Sequence, residues 1–214
     1  DQEYMCSFDA AIHGAIYAVE IAKAKEQGRV CIIRYNPEFL VHTAWDIGIG
    51  DPTAIWFYQK IAGEVRFIDY YESQGEAITH YLEVLKAKSY KYDTAWMPHD
   101  ADHRQLATGK SIADFVRKNG FNVRIAPKLS VEFGINSARL LIEKCFFDNT
   151  KCKAGLDALI NYRWDYNKRL EELKKTPLHD WSSHGSDAFR YGAVSITEDM
   201  PIILPPPAPQ HLSF

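Results

Sequence analysis

The sequence predicts an α/β fold on a mixed sheet, three antiparallel strands followed by parallel ones, with helices flanking it. β-branched and aromatic residues gather in three consecutive runs, 41–47, 53–60 and 64–71, separated by a few turn residues each. After Gly75 the apolar period changes, and Ala77, Ile78, Tyr81, Leu82 and Leu85 fall on one helical face. From there strand-like and helical stretches alternate, as they do where parallel strands are joined by crossover helices.

In chain order, residues 1–40 read as a lead-in, with enough Ala, Ile and Glu between 10 and 27 for a helix ending at Gly28. The first strand, 41–47, stops at the dense turn signal Gly48-Ile49-Gly50-Asp51-Pro52. Strands 53–60 and 64–71 follow with a break at Gly63, so short connections make the three a meander. A helix through 77–85 leads to the short strand Thr94-Ala95-Trp96-Met97 and a polar segment, 98–104. A helix over 111–118 ends at Asn119-Gly120, and 121–126 reads as a strand. Residues 131–147 read as one helix with Ile135, Ala138, Leu141, Ile142 and Cys145 inward. Two further helices, 155–164 and 180–196, are separated by a charged stretch, 169–175. Proline makes the tail an extended arm. The expected organisation is a lead-in at 1–40, a domain at 41–198 and a tail at 199–214.

Composition narrows the function classes. With 214 residues, 46% hydrophobic and 25% charged, the chain is an ordinary folded domain. Twenty-five basic against 28 acidic residues leave a net charge of -3, so a nucleic-acid enzyme of this composition must concentrate its cations on one face. Cys6, Cys31, Cys145 and Cys152 form no C-x-x-C pair, which argues against a zinc knuckle or disulfide scaffold. No apolar run approaches the roughly 20 residues of a membrane span, and no signal peptide is recognisable, so no membrane partner is expected. Lacking an initiating Met, the chain is expected to be a fragment or processed product.

Three places carry possible chemistry. Asp46 ends a strand beside Gly48 and Gly50, where backbone can turn tightly and a ligand can approach. Alone it reads as readily as a turn residue bonding its own loop, and Asp51, before Pro52, more so. Asp100 lies just past the 94–97 strand among His99, Asp102 and His103, and stands next to Asp46 if the two strands run parallel and adjacent. Asp180, His184 and Asp187, four and three residues apart, share one face of the last helix. A solvated polar face is the alternative for these. Together, three carboxylates on a first strand, a following strand and a late helix suit two divalent ions, Mg²⁺ or Mn²⁺, acting on a phosphodiester. There is no P-loop motif and no G-x-S-x-G elbow.

This arrangement resembles the ribonuclease H-like superfamily and, more narrowly, the C-terminal nuclease domain of tailed-bacteriophage large terminase subunits. The residues that carry the resemblance are Gln2-Glu3-Tyr4-Met5-Cys6-Ser7-Phe8 with Gly14-Ala15-Ile16-Tyr17, similar to the linker after the terminase ATPase; Trp45-Asp46-Ile47-Gly48-Ile49-Gly50-Asp51-Pro52-Thr53-Ala54; Pro98-His99-Asp100-Ala101; and His184-Gly185-Ser186-Asp187-Ala188-Phe189-Arg190-Tyr191. It implies a metal-dependent endonuclease that cuts concatemeric double-stranded DNA, with Asp46, Asp100 and Asp187 as catalytic metal ligands of two Mg²⁺ or Mn²⁺ ions. Asp51, Asp180 and His184 are possible accessory residues. It further implies an N-terminal ATPase domain of the same subunit, a small terminase subunit and portal or procapsid as partners, and the cytoplasm of an infected bacterial host as location. Arg104, Lys110, Lys128 and Arg139, beside the expected loops, are candidates for phosphate contacts, each more readily read as a solvated surface charge.

Three other readings remain open. Asp46-Ile47-Gly48 with Thr53 also suits the phosphate hairpin of actin-like and sugar-kinase-like ATPases, but the second hairpin and glycine-rich adenosine pocket are missing. A ribonuclease H-like resolvase or transposase shares the carboxylate logic without reason to carry the segment at 2–17. A catalytically silent docking module of a packaging motor is the non-enzyme alternative, against which stand intact acids at all three motif positions.

Overall fold

The computed structural model describes residues 14–48, 50–104, 109–167 and 169–199, with side chains as far as 196. The expectations for residues 2–8 and 10–13, for Ile49 and for the tail from 200 onward fall outside them.

Strands β1 (Val30–Cys31), β2 (Val41–Asp46), β3 (Thr53–Ile61), β4 (Glu64–Ser73), β5 (Tyr92–Met97), β6 (Asn122–Ile125) and β7 (Cys145–Asp148) form one seven-stranded sheet in the order β1-β7-β4-β3-β2-β5-β6. The meander β2–β3–β4 is antiparallel and lies at its centre. β5 and β6 extend it in parallel beyond β2, and β7 and β1 extend it in parallel beyond β4. This is the mixed α/β sheet the sequence predicts, with parallel strands on both sides of the meander.

Helices α1 (Ala18–Glu26), α4 (Val131–Ile142), α5 (Lys153–Asn161) and α6 (Trp181–Asp199) gather on one face. Their core joins Ile135, Leu141, Leu159 and Phe189 to Trp56, Phe67 and Phe147 of the sheet. Helices α2 (Ile78–Ala87) and α3 (Ile112–Lys118) cover the other, where Tyr81, Leu82, Leu85 and Val116 meet Trp45, Ile55 and Phe57. Successive residues of a strand serve opposite faces, so β3 is buried almost along its whole length. α3 begins with a reciprocal capping box between Ser111 and Asp114 and gives way to Asn119-Gly120, Gly120 taking φ +92°.

Two elements differ from the sequence reading. The helix expected over 131–147 stops at Ile142, and Cys145–Asp148 is strand β7. Arg29 Nη1 donates to the Ile142 and Cys145 carbonyls at 2.5 and 2.8 Å, supplying at the helix end the bonds that another helical turn would have made. The charged stretch 169–175 lies in a hairpin of β8 (Trp164–Asn167) and β9 (Glu172–Pro177), so the helix expected at 155–164 ends at Asn161. Of the lead-in, residues 14–40 pack closely against the sheet and its helices: Ile16, Tyr17, Ile21 and Ala24 are buried, and β1 joins the sheet edge. No helix among the described residues is long and apolar enough to cross a membrane.

Candidate metal centre

Asp46 is the last residue of β2, and alternation decides where it points. Trp45 is locked into the α2 side, its indole N–H donating to Thr43 Oγ1 at 2.7 Å. Ala44 meets α6 on the other side, so closely that a Cβ on Gly192 would stand 2.8 Å from the Ala44 Cβ. Asp46 shares that face. The chain then leaves the strand through Gly48, where any Cβ would collide with the Asp51 carbonyl, and Gly50, at φ +93°. Thr53 Oγ1 accepts from the Gly48 N–H at 3.2 Å and fixes the turn.

The sheet register carries a second acid to the same row. Asp46 pairs with Ala54, and Ala54 with Glu72 of β4, leaving a small alanine between two carboxylates on one face. Glu72 accepts a short hydrogen bond from the Tyr70 hydroxyl. Sequence reading passed over Glu72; its signal was the period-two spacing back to the buried Tyr70.

α6 brings the remaining groups. Asp180, just before the helix, has both carboxylate oxygens engaged: Oδ1 accepts from the Ser182 amide at 2.9 Å and hydroxyl at 2.6 Å, and Oδ2 pairs with Arg163 at 2.9 Å. It caps the helix in the manner of an N-terminal acid. One turn on, His184 is buried with Nδ1 3.4 Å from Asp46 Oδ2. Asp187 takes three hydrogen bonds on Oδ1, from the Tyr162 hydroxyl at 2.9 Å and from Arg190 Nε and Nη2 at 3.2 and 3.1 Å. Its Oδ2 has no hydrogen bond among the described residues. Asp51 lies in the turn after β2, its Oδ2 3.8 Å from His179 Nε2, and the ligand atoms of Asp51, His179 and His184 all fall within 4.8 Å of one another.

Burial pushes the Asp46 carboxyl above its usual range; the bond to His184 opposes this, and the charge of Asp187 adds to the rise. The same bond to Asp46 raises the His184 imidazole, against the effect of burial, with the charges of Glu72 and Asp51 contributing. Asp46, Asp187, Glu72 and Asp51 therefore act electrostatically on one small region. Carboxylate oxygens gathered around one region are a donor set that a hard divalent cation fits.

Asp100 sits in a 3-10 turn, His99–Asp102, at the end of β5, which runs parallel beside β2. It is exposed, at the same end of the parallel strands as Asp46, and among the described residues its carboxylate has no hydrogen bond or ion pair. Arg104, Lys110 and Lys128 are exposed. Lys128 lines a cavity of about 130 Å³ with His99, Ser130, Arg190 and Tyr191, next to this end of the strands. Arg139 faces α1 instead: its guanidinium donates twice to the Ile16 carbonyl at 3.2 Å and pairs with Glu20 at 3.3 Å.

No protein-family model matches the chain. Over 164 residues it is 29% identical to the large terminase subunit of Escherichia phage T5, covering 71% of this chain and 34% of that protein. The chain thus spans about a third of the length of the curated relative it matches. Among solved structures, the P22 large terminase nuclease domain superposes with a TM-score of 0.60 at 19% identity, covering 79% of this chain and 89% of that one. The nuclease of the large terminase from thermophilic phage G20c, with bound magnesium, superposes with a TM-score of 0.57 at 17% identity, covering 85% and 96%. The chain resembles the nuclease domain of a tailed-bacteriophage large terminase subunit, and its fold is the one those domains have.

Proposed function

From that resemblance we propose that this chain is a divalent-metal-dependent DNA endonuclease domain of a viral packaging terminase, cutting concatemeric double-stranded DNA by two-metal-ion hydrolysis. The observation that carries the reading is the meeting of Asp46, at the end of a central strand, with His184 and Asp187 of α6, whose charges act on it. The partners of the reading are double-stranded DNA, an ATPase domain preceding residue 1 in the same subunit, a small terminase subunit and a portal, in the cytoplasm of an infected host.

Asp46, Asp187 and Asp100 would hold the two ions, and the charge of Glu72 acts on the same region through His184. Bound there, Mg²⁺ or Mn²⁺ supplies a Lewis acid that lowers the pKa of a coordinated water and stabilises the leaving 3′-oxygen. The protein's own residues do the positioning. Tyr162 and Arg190 fasten Asp187 by Oδ1 and leave Oδ2 for a cation. His184 holds Asp46 through the contact of Nδ1 with Oδ2. Glycines 48 and 50 keep the approach to Asp46 free of side chains. Arg104, Lys110 and Lys128 offer phosphate contacts at this end of the strands, sequence-independent and weakened by salt. Arg139 is left to its bonds with α1.

Cleavage of supercoiled plasmid tests the proposal, with Mg²⁺, Mn²⁺ or EDTA, beside folded Asp46→Asn and Asp187→Asn. Metal-dependent nicking and linearisation by the wild type, lost in both variants, is the expected result. Cleavage that persists in EDTA or in both variants overturns it.

A further inference from the structure

The two imidazoles at the mouth of the site set it apart from an all-oxygen magnesium site, and their hydrogen bonds fix which nitrogens are available. Ser183 has one hydroxyl proton and donates it to the Asp180 carbonyl at 2.7 Å. Its Oγ also lies 3.1 Å from His179 Nδ1 and holds that side of the ring, leaving Nε2 on the outer side. His179 Nε2 faces Asp51 Oδ2 across 3.8 Å, a gap longer than a hydrogen bond and of the size that two ligand atoms of one cation span. His184 is placed in a similar way: its Nδ1 lies 3.4 Å from Asp46 Oδ2, and Nε2 is on the other side of the ring. Rings whose far nitrogen is held by an oxygen partner are the usual form of metal-binding histidine, because that bond sets both tautomer and orientation.

We propose that Asp51, His179 and His184 form a third cation site, adjoining the Asp46, Asp100 and Asp187 carboxylates, that takes a zinc-type transition ion through two imidazole nitrogens and one carboxylate oxygen. Their ligand atoms lie within 4.8 Å of one another. Around a tetrahedral ion at ordinary Zn–N and Zn–O lengths such atoms stand about 3.3 Å apart. The closing movement is small, and it falls on His179 and Asp51, whose side chains are 69% and 59% exposed, while His184 is the buried, fixed member at 8%. Imidazole selects zinc, cobalt or nickel over magnesium, which prefers oxygen and keeps its water. Three protein ligands leave a position open. Asp46 is shared: it orients His184 toward this ion and belongs to the neighbouring carboxylate set, so the two sites adjoin through the 3.4 Å contact of Asp46 with His184.

Titration of the intact chain with Co²⁺ tests this, followed by visible absorption and by calorimetry, then displaced with Zn²⁺ and challenged with excess Mg²⁺. The expected result is a set of intense d–d bands, those of a four- or five-coordinate site containing nitrogen, that survives excess Mg²⁺ competing for the carboxylate centre and is abolished by Zn²⁺. His179→Ala and Asp51→Ala, both exposed and checked for fold by circular dichroism, each weaken binding at least about tenfold; Ser183→Ala, which frees the His179 ring, weakens it by a similar factor. Histidine ring resonances of the wild type report independently, with Zn²⁺ shifting both His179 and His184. An unchanged cobalt spectrum in His179→Ala, or loss of the intense bands to excess Mg²⁺ in the wild type, overturns the proposal. Its consequence for cleavage rests on the nuclease reading: Zn²⁺ inhibits Mg²⁺-dependent nicking in the wild type and loses that effect in His179→Ala. The metal titration stands or falls without any cleavage.

Discussion

The two faces of the sheet are packed by different means. On the α2–α3 side the contacts are apolar side chains, Leu82, Leu85 and Val116 against Trp45, Ile55 and Phe57. On the α4–α5–α6 side backbone itself comes close: a Cβ on Gly155 would stand 2.5 Å from Trp56, and one on Gly185 2.6 Å from the Tyr70 hydroxyl. Polar groups are buried there as well, Ser182, Ser183, His184, Ser186 and Arg190 within a few turns of α6. The Trp56 indole N–H donates to the Gly185 carbonyl at 2.8 Å, a bond possible only at this short distance. The glycine-punctuated face holds charged groups within reach of one another; the apolar face holds the strands that carry them.

The sharpest break between the faces is Asp46→Asn. It should lower metal-dependent cleavage by at least about a thousandfold, roughly 4 kcal/mol of barrier, while leaving the thermal unfolding midpoint no lower. The raised Asp46 carboxyl binds more protons folded than unfolded between the unfolded value of about 3.9 and its raised folded value, so it makes stability fall as pH rises through that window. The raised His184 imidazole acts in the same direction, its contribution present below about 6.5 and lost as pH climbs through its folded value. Unfolding midpoints measured against pH in EDTA should slope downward in the wild type and be flatter in the variant. A steeper fall in Asp46→Asn would contradict the assignment.

Leu85→Ala, on the opposite face, should cost about 3 kcal/mol in urea unfolding through the cavity it leaves, with cleavage per folded molecule unchanged. If activity falls with stability intact, the division between faces is wrong. Gly155→Ala should cost about 2 kcal/mol, since Trp56 and Tyr70 must both move; a neutral effect would mean α5 does not depend on that close approach. The smallest effect is Ser111→Ala, about 1 kcal/mol from the α3 cap, and it should leave metal titrations untouched.

What sequence alone makes legible follows the same division. The meander, the α2 stripe and Asp46 in its glycine turn are local patterns, and each is read from neighbouring residues. β7 is not, because Leu141, Ile142 and Cys145 continue the helical spacing of α4 and no Gly or Pro marks Glu143-Lys144; the stop comes from Arg29, more than a hundred residues away. β9 is exposed at nearly every position, so it has no buried face to produce alternation. At the site, the carboxylates of Asp46 and Asp187 stand out by motif, whereas Glu72 is brought in by register across two strand pairs and His179 by the entry angle of α6. The bonds that hold Arg139 to α1 and Asp180 to Arg163 are likewise tertiary, and spacing says nothing of them.

The parallel pair β1–β7 joins Val30 to Phe147, and the Asp46–His184 contact joins residues still further apart. During vectorial synthesis the central meander can form early, while the sheet edge waits for β7 and the charged centre waits for α6 to leave the ribosome. Contacts of such long sequence separation close late and slowly. A nascent chain halted before α6 would carry a nearly complete sheet and an Asp46 with no partner, so any binding or cutting at this centre is delayed until almost the whole domain has been made.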